Sequence, residues 1–165
     1  MRANRVREVT WLDLGVPYAI EGYVDVERVW TLSPGVTLVM REDAKIYVAG
    51  DDAAFRAVGT AAQPITITGA EPRPGSWRDI VFDFATNDAN VLDYCVVEYG
   101  GGGAESGVYG MITADSDSRG VSLSVTNSTI RHSAVYGIWL GATWSGTLEG
   151  NTMSGNALGD VFHDE

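Results

Sequence analysis

The chain has 165 residues, of which 45% are apolar and 20% charged, and its formal net charge is −11. That is long enough for one domain with a continuous core and too apolar for a disordered chain. The acidic balance repels phosphate backbones and excludes nucleic acid as an expected partner. No stretch approaches the roughly 20 apolar residues of a membrane span, so no insertion is expected.

Twenty glycines stand against a single lysine. Glycine punctuates turns and seldom sits inside helices, so the composition favours many short strands. Residues 1–13, before Gly15, read as a cap, expected as one short helix. Met1-Arg2-Ala3-Asn4-Arg5 is basic, but no apolar run follows it, so no signal peptide is expected in this chain. Tyr18–Ile20 and Tyr23–Val26 are short β-type runs. Val36-Thr37-Leu38-Val39-Met40 follows the turn Ser33-Pro34-Gly35, and Lys45-Ile46-Tyr47-Val48 ends at Gly50. Ile65-Thr66-Ile67-Thr68 alternates with period two, and so does Val121-Ser122-Leu123-Ser124-Val125-Thr126. The lone Cys95 lies in the apolar run Tyr94-Cys95-Val96-Val97, which predicts a buried structural thiol.

The second half repeats. Asp79-Ile80-Val81-Phe82, Gly110-Met111-Ile112-Thr113 and Gly137-Ile138-Trp139-Leu140 read as one strand seen three times. A second element follows each: 92–100, 125–133 and 148–156 align without gaps. Val97, Ile130 and Met153 then share a column, as do Tyr99, His132 and Gly155. Each unit holds two or three strands that cannot bury an apolar side alone. Stacking identical units builds a continuous interior, the signature of a solenoid. Hairpin signals such as Asn-Gly and Asp-Gly are absent, which argues against a sandwich or closed barrel. The expected fold is all-β: a right-handed parallel β-helix of about six coils, as a single domain over 1–165, with coils over 14–160 and a tail at 161–165.

Several segments carry a resemblance. Val16-Pro17-Tyr18-Ala19-Ile20-Glu21-Gly22 and Leu32-Ser33-Pro34-Gly35-Val36-Thr37-Leu38 look like opening coils. Ala57-Val58-Gly59-Thr60, Gln63-Pro64-Ile65-Thr66-Ile67-Thr68-Gly69 and Pro74-Gly75-Ser76-Trp77 continue the match. Asn127-Ser128-Thr129-Ile130 and Gly150-Asn151-Thr152-Met153 resemble later coils. The chain thus resembles right-handed parallel β-helix repeat proteins of the pectate-lyase-like superfamily, of the bacterial surface type. The resemblance implies the fold and a location outside the cell or on its surface in the parent protein. It implies no single activity, because the superfamily holds lyases, hydrolases, tailspikes and adhesins.

Chemistry is sparse. Asp51-Asp52 alone matches a hydrolase motif of that superfamily, and it reads as a solvated turn. A lyase would need acids and an arginine around Ca²⁺; the nearest candidates are Asp83, Asp93, Glu98 and Arg131. Glu98 and Arg131 align on adjacent coils and read as a structural ion pair. Asp115, Asp117 and Gly120 begin like a calcium loop, and residues 100–105 like a calcium nonapeptide, but both patterns are incomplete. His132 reads as a corner residue. Asp160, His163, Asp164 and Glu165 read as a terminus rather than a chelating set. Asn127, Asn151 and Asn156 are expected to cap turns between coils. No cofactor, metal or catalytic residue is expected. If Ile80, Met111 and Ile138 face inward, then Val81, Ile112 and Trp139 face outward in one apolar column, with Trp144, Tyr136 and Tyr109 nearby. Such a column suits a sugar ring or a protein partner. The expected function is a non-catalytic surface module: a rigid scaffold, adhesin, or binder of a polysaccharide or protein. The alternative is a polysaccharide lyase or glycoside hydrolase, or a fragment of one. Uncovered solenoid ends would also permit self-association.

Overall fold

The computed structural model describes residues 4–103, 109–116 and 119–164. Each coil runs through three short strands, which fall on three sheets. The first coil holds β1 (Asn4–Val6), β2 (Val9–Trp11) and β3 (Tyr18–Ile20). The second holds β4 (Tyr23–Val26), β5 (Val29–Leu32) and β6 (Thr37–Met40). The third holds β7 (Lys45–Ala49), β8 (Ala54–Val58) and β9 (Ile65–Gly69), and the fourth β10 (Ile80–Asp83), β11 (Val91–Asp93) and β12 (Cys95–Glu98).

The fifth coil is β13 (Gly110–Ala114), β14 (Val121–Ser122), β15 (Ser124–Thr126) and β16 (Thr129–Arg131). The sixth is β17 (Tyr136–Leu140), β18 (Trp144–Ser145), β19 (Leu148–Glu149) and β20 (Thr152–Ser154). A seventh begins with β21 (Gly159–His163). Sheet A stacks β1-β4-β7-β10-β13-β17-β21, sheet B stacks β2-β5-β8-β11-β15-β19, and sheet C stacks β3-β6-β9-β12-β16-β20. The short β14 and β18 pair beside them. Every pairing is parallel, so the chain is a parallel β-solenoid.

Inward side chains form dry columns, because the period-two alternation of a strand gives one face to the interior. Val24, Ile46, Ile80, Ile112, Ile138 and Val161 stack beneath sheet A. Leu32, Ala57, Leu92 and Val125 stack beneath sheet B, and Leu38, Ile67, Val97 and Ile130 beneath sheet C. Trp30 and Phe55 fill one interior edge with ring centroids 5.0 Å apart. Trp77 is fully buried, and its Nε1–H donates to the carbonyl of Glu98 at 2.9 Å.

In the fourth to sixth coils a left-handed residue turns the chain at each end of the sheet C strand. Tyr94, Asn127 and Gly150 occupy one corner at φ 49°, 48° and 67°. Tyr99, His132 and Gly155 occupy the other at 68°, 57° and 65°. Left-handed geometry costs a residue with a Cβ about 1–2 kcal/mol, so something must offset it at Tyr99 and His132. Their rings stack at 5.3 Å and 10°. Polar side chains satisfy the backbone that turns away from the ladders. The Cys95 N–H donates to Ser128 Oγ, and the Ser128 N–H donates to Asn151 Oδ1, both at 2.9 Å. Asn156 Oδ1 accepts from the Ser133 N–H at 3.1 Å. These are the turn-capping roles expected of Asn151 and Asn156. Glu98 and Arg131 form the expected cross-coil ion pair at 2.7 Å, and Thr68 Oγ1 also donates to Glu98 at 2.9 Å.

Two expectations need correction. Asn4–Val6 and Val9–Trp11 are strands of a complete first coil, so the short helix expected within residues 1–13 does not form among the described residues. Residues 159–163 likewise form a strand, where the coils were expected to end at 160 and a tail to follow over 161–165. In both places the neighbouring coil offers a ladder of backbone partners, and pairing with it satisfies groups that a short isolated helix or a free tail would leave to water.

Candidate functional site

The outer face of sheet A carries a cleft of about 570 Å³. Residues from three successive coils line it. Lys45 comes from β7, Arg78 and Asp79 from the approach to β10, and Val81 and Asp83 from β10 itself. Tyr109, Thr113 and Asp115 come from β13 and its flanks. The parallel register brings them together: Tyr47, Val81 and Thr113 are successive members of one outward column. Asp83 and Asp115 follow in the next, because Phe82 pairs with Ala114.

Lys45, the chain's one lysine, lies between the rings of Tyr23 and Tyr47, 5.7 and 5.8 Å from their centroids. Its ammonium sits 3.3 Å from Asp79 Oδ1, an ion pair without good hydrogen-bond direction. Burial pushes the Asp79 carboxyl above the usual range, opposed by the nearby charges of Lys45 and Arg78. The Arg78 guanidinium packs over Tyr23 at 5.5 Å. Tyr47 Oη donates to Asp83 Oδ2 at 2.6 Å; burial first, and this carboxylate second, raise the phenol pKa far above its ordinary value.

Toward the last coils the face turns aromatic. Trp139 and Phe162 stack at 3.9 Å and 18°. Tyr109 and Tyr136 meet Trp139 edge-on at 5.7 and 5.8 Å. Tyr109 is 42% exposed and touches both the cleft and this cluster.

The structure distributes the sequence-derived column unevenly. Val81 and Trp139 do face outward in one column, and Tyr136 joins Trp139. Ile112 does not. It pairs with Ile80 and Ile138 and is fully buried, while Thr113 holds the outward place between Val81 and Trp139. The alignment of Met111 with Ile80 is therefore one residue out of step, and a one-residue slip exchanges the two faces. Met111 instead packs at the corner, where Gly100 N–H meets its Sδ at 3.2 Å. Trp144 also leaves the column. It lies half-buried at the core edge on β18, and its Nε1–H donates to the carbonyl of Leu123 at 3.0 Å.

The acids considered for Ca²⁺ do not converge: Asp83, Asp93 and Glu98 stand on sheets A, B and C respectively. Asp52 pairs with Arg28 at 3.0 Å, and Asp51 accepts from Thr86. Of the D-x-D-x-x-G segment, residue 117 lies outside the described residues, as do residues 104–105 of the glycine run and Glu165. Gly100 has a packing reason instead: a Cβ there would stand 2.7 Å from Met111 Cγ and the Trp77 ring. Sequence reading missed Lys45, Arg78, Asp79 and Tyr109 as a set. Only the register of the third to fifth coils, read across the long loop after Gly100, would have joined them.

Fold and cleft together define a β-solenoid with a mixed polar and aromatic groove along one sheet. The chain matches no protein-family model, no curated protein and no solved structure.

Proposed function

We propose that the protein is a non-catalytic, surface-displayed β-helix module that binds a neutral oligosaccharide in the cleft of sheet A. The observation that carries this reading is a set of buried polar atoms that make no hydrogen bond. Among the described residues, the buried side-chain nitrogens and oxygens without a hydrogen-bond partner are Trp30 Nε1, Arg78 Nε, Asp79 Oδ1, which keeps its ion pair with Lys45, and Trp139 Nε1. Three of the four belong to the outer face of sheet A, and two belong to residues lining the cleft. Buried polar atoms are nearly always satisfied, so such a concentration favours a hydroxylated ligand.

Sugar hydroxyls both donate and accept, which suits a wall of Asp79, Asp83 and Asp115 facing Lys45 and Arg78. Val81 and the exposed ring of Tyr109 offer apolar surface to a pyranose C–H face. Three acids against two bases, on a chain of net charge −11, disfavour uronate polymers. The likeness to pectate-lyase-like surface solenoids, and with it an extracellular location in the parent protein, belongs to this reading. Titration calorimetry against a panel of neutral and uronic oligosaccharides tests it. Binding of a neutral glycan that Arg78→Ala and Tyr109→Ala each weaken supports the assignment; absence of binding across the panel removes it.

One observation favours the hydrolytic alternative. Asp83 and Asp115 lie on adjacent rungs and both line the cleft, and glycoside hydrolysis uses two carboxylates that flank the scissile bond. Release of reducing ends by the native chain, lost in Asp83→Asn and Asp115→Asn, would select that reading instead.

A further inference from the structure

The two ends of the solenoid differ. At the first coil, Trp11 and Tyr18 stack at 4.6 Å across the interior, and Tyr18 Oη donates to the carbonyl of Leu12 at 2.8 Å. At the last coil, Leu148 and Met153 are only half covered, and Leu158 and Val161 are 51% and 41% exposed. Leu148, Met153 and Val161 continue the three interior columns, so the end shows the core in cross-section. Among the described residues, β19, β20 and β21 have no strand on their outer side, nor do β1, β2 and β3. Among the described residues, the strands at both ends therefore lack a ladder partner on one side.

We propose that a second copy of this chain docks head-to-tail, with its first coil continuing the ladders beyond β19, β20 and β21. The register on the page says what would meet. Trp11 belongs to the column that ends in Leu148, and Tyr18 to the column that ends in Met153. The incoming aromatics thus cover two of the three open apolar positions, while Asn4 heads the column that ends in Val161. Arg5 belongs to the outward column that ends in Trp139 and Phe162, whose outermost ring has no rung stacked beyond it. A guanidinium over that ring is a favourable cation–π arrangement.

One position further on, Arg7 shares a column with Asp164, since Val6 and His163 occupy the preceding place in each strand. The first coil offers Arg5 and Arg7, 67% and 77% exposed in their side chains, beside the acids Glu8 and Asp13; of the exposed acids of the last coils, Asp164 is the one in register with an arginine. Arg5 and Arg7 each contact Glu27 at 3.2 Å, which leaves most of their five donors free. The contact is heterologous, so its repetition gives an open filament rather than a closed dimer.

Sedimentation velocity of the 165-residue chain over a concentration series tests this, with far-UV circular dichroism to verify that each variant folds. The wild type is expected to show concentration-dependent species heavier than the monomer, and Val161→Asp to remain monomeric. Arg7→Glu and Asp164→Arg are each expected to weaken association about tenfold, and an equimolar mixture of the two to regain it, because each supplies the end that the other lacks. A wild type that stays monomeric throughout overturns the proposal. So does assembly indifferent to both charge reversals, or a mixture no stronger than either variant alone, which would indicate like ends meeting.

Discussion

Replacing Ile112 with alanine separates the observed register from the one-residue alternative. Ile112 is fully enclosed between Ile80 and Ile138 in the column beneath sheet A. The substitution removes three buried carbon groups, worth about 2.4 kcal/mol at about 0.8 each, and adds a cavity term. The rungs above and below are fixed by ladder hydrogen bonds at about 4.8 Å, so the space cannot close by collapse. The expected loss is about 3–4 kcal/mol, a fall in Tm on the order of 10 °C for a chain of this length.

Thr113→Ala, one residue on, is the control. It loses the hydrogen bonds that Thr113 Oγ1 makes with Gly110, at 3.1 Å to the N–H and 3.2 Å to the carbonyl, and should cost about 1 kcal/mol. Urea unfolding followed by circular dichroism reads both, with the midpoint falling and the m-value unchanged. If Ile112→Ala stays within about 0.5 kcal/mol of wild type, as exposed substitutions do, the side chain faces water and the column argument is wrong.

Three further outcomes are expected. Burial, and then the charge of Asp93, push the Cys95 thiol up to about 12, so it should resist a disulfide reagent at pH 8 until urea unfolds the chain. With that pKa above its unfolded value near 9, the folded state holds the proton longer; stability from this group is intact below pH 9 and declines from there toward pH 12, as alkaline melts of wild type and Cys95→Ala would show. Gly100→Ala should cost about 1–3 kcal/mol by overpacking and alter the near-UV signal of Trp77. Arg131→Met should cost about 1–2 kcal/mol by leaving the well-covered Glu98 carboxylate without its cation, and adding Glu98→Gln should recover part of that loss in a double-mutant cycle.

How much of this was legible depended on the corners. The alignment of 92–100 with 125–133 and 148–156 could be read without gaps because one left-handed residue joins sheet B to sheet C in all three coils. Sheet A had no such ruler. The segment between Gly100 and Tyr109 varies in length from coil to coil, and Met111 and Ile112 are both apolar, so hydrophobic pattern alone fits either phase. The cleft was illegible for a related reason. Lys45, Asp79, Tyr109 and Asp115 are scattered through 71 positions and carry no common motif; only stacking makes them neighbours. Trp144 was misplaced because an indole reads as a ligand platform or as a core edge with equal ease until its N–H finds the carbonyl of Leu123.

The single-residue corners at Tyr94, Asn127 and Gly150 have an engineering consequence. They fix the phase between two sheets, while the passages from sheet C back to sheet A run to eleven residues at 99–109 but four at 132–135 and 155–158. The strands on either side keep their register across passages of either length, because the ladders set it. A foreign recognition loop spliced between Gly103 and Tyr109 would sit beside the groove, since both residues line it, and leave the winding of the thread untouched.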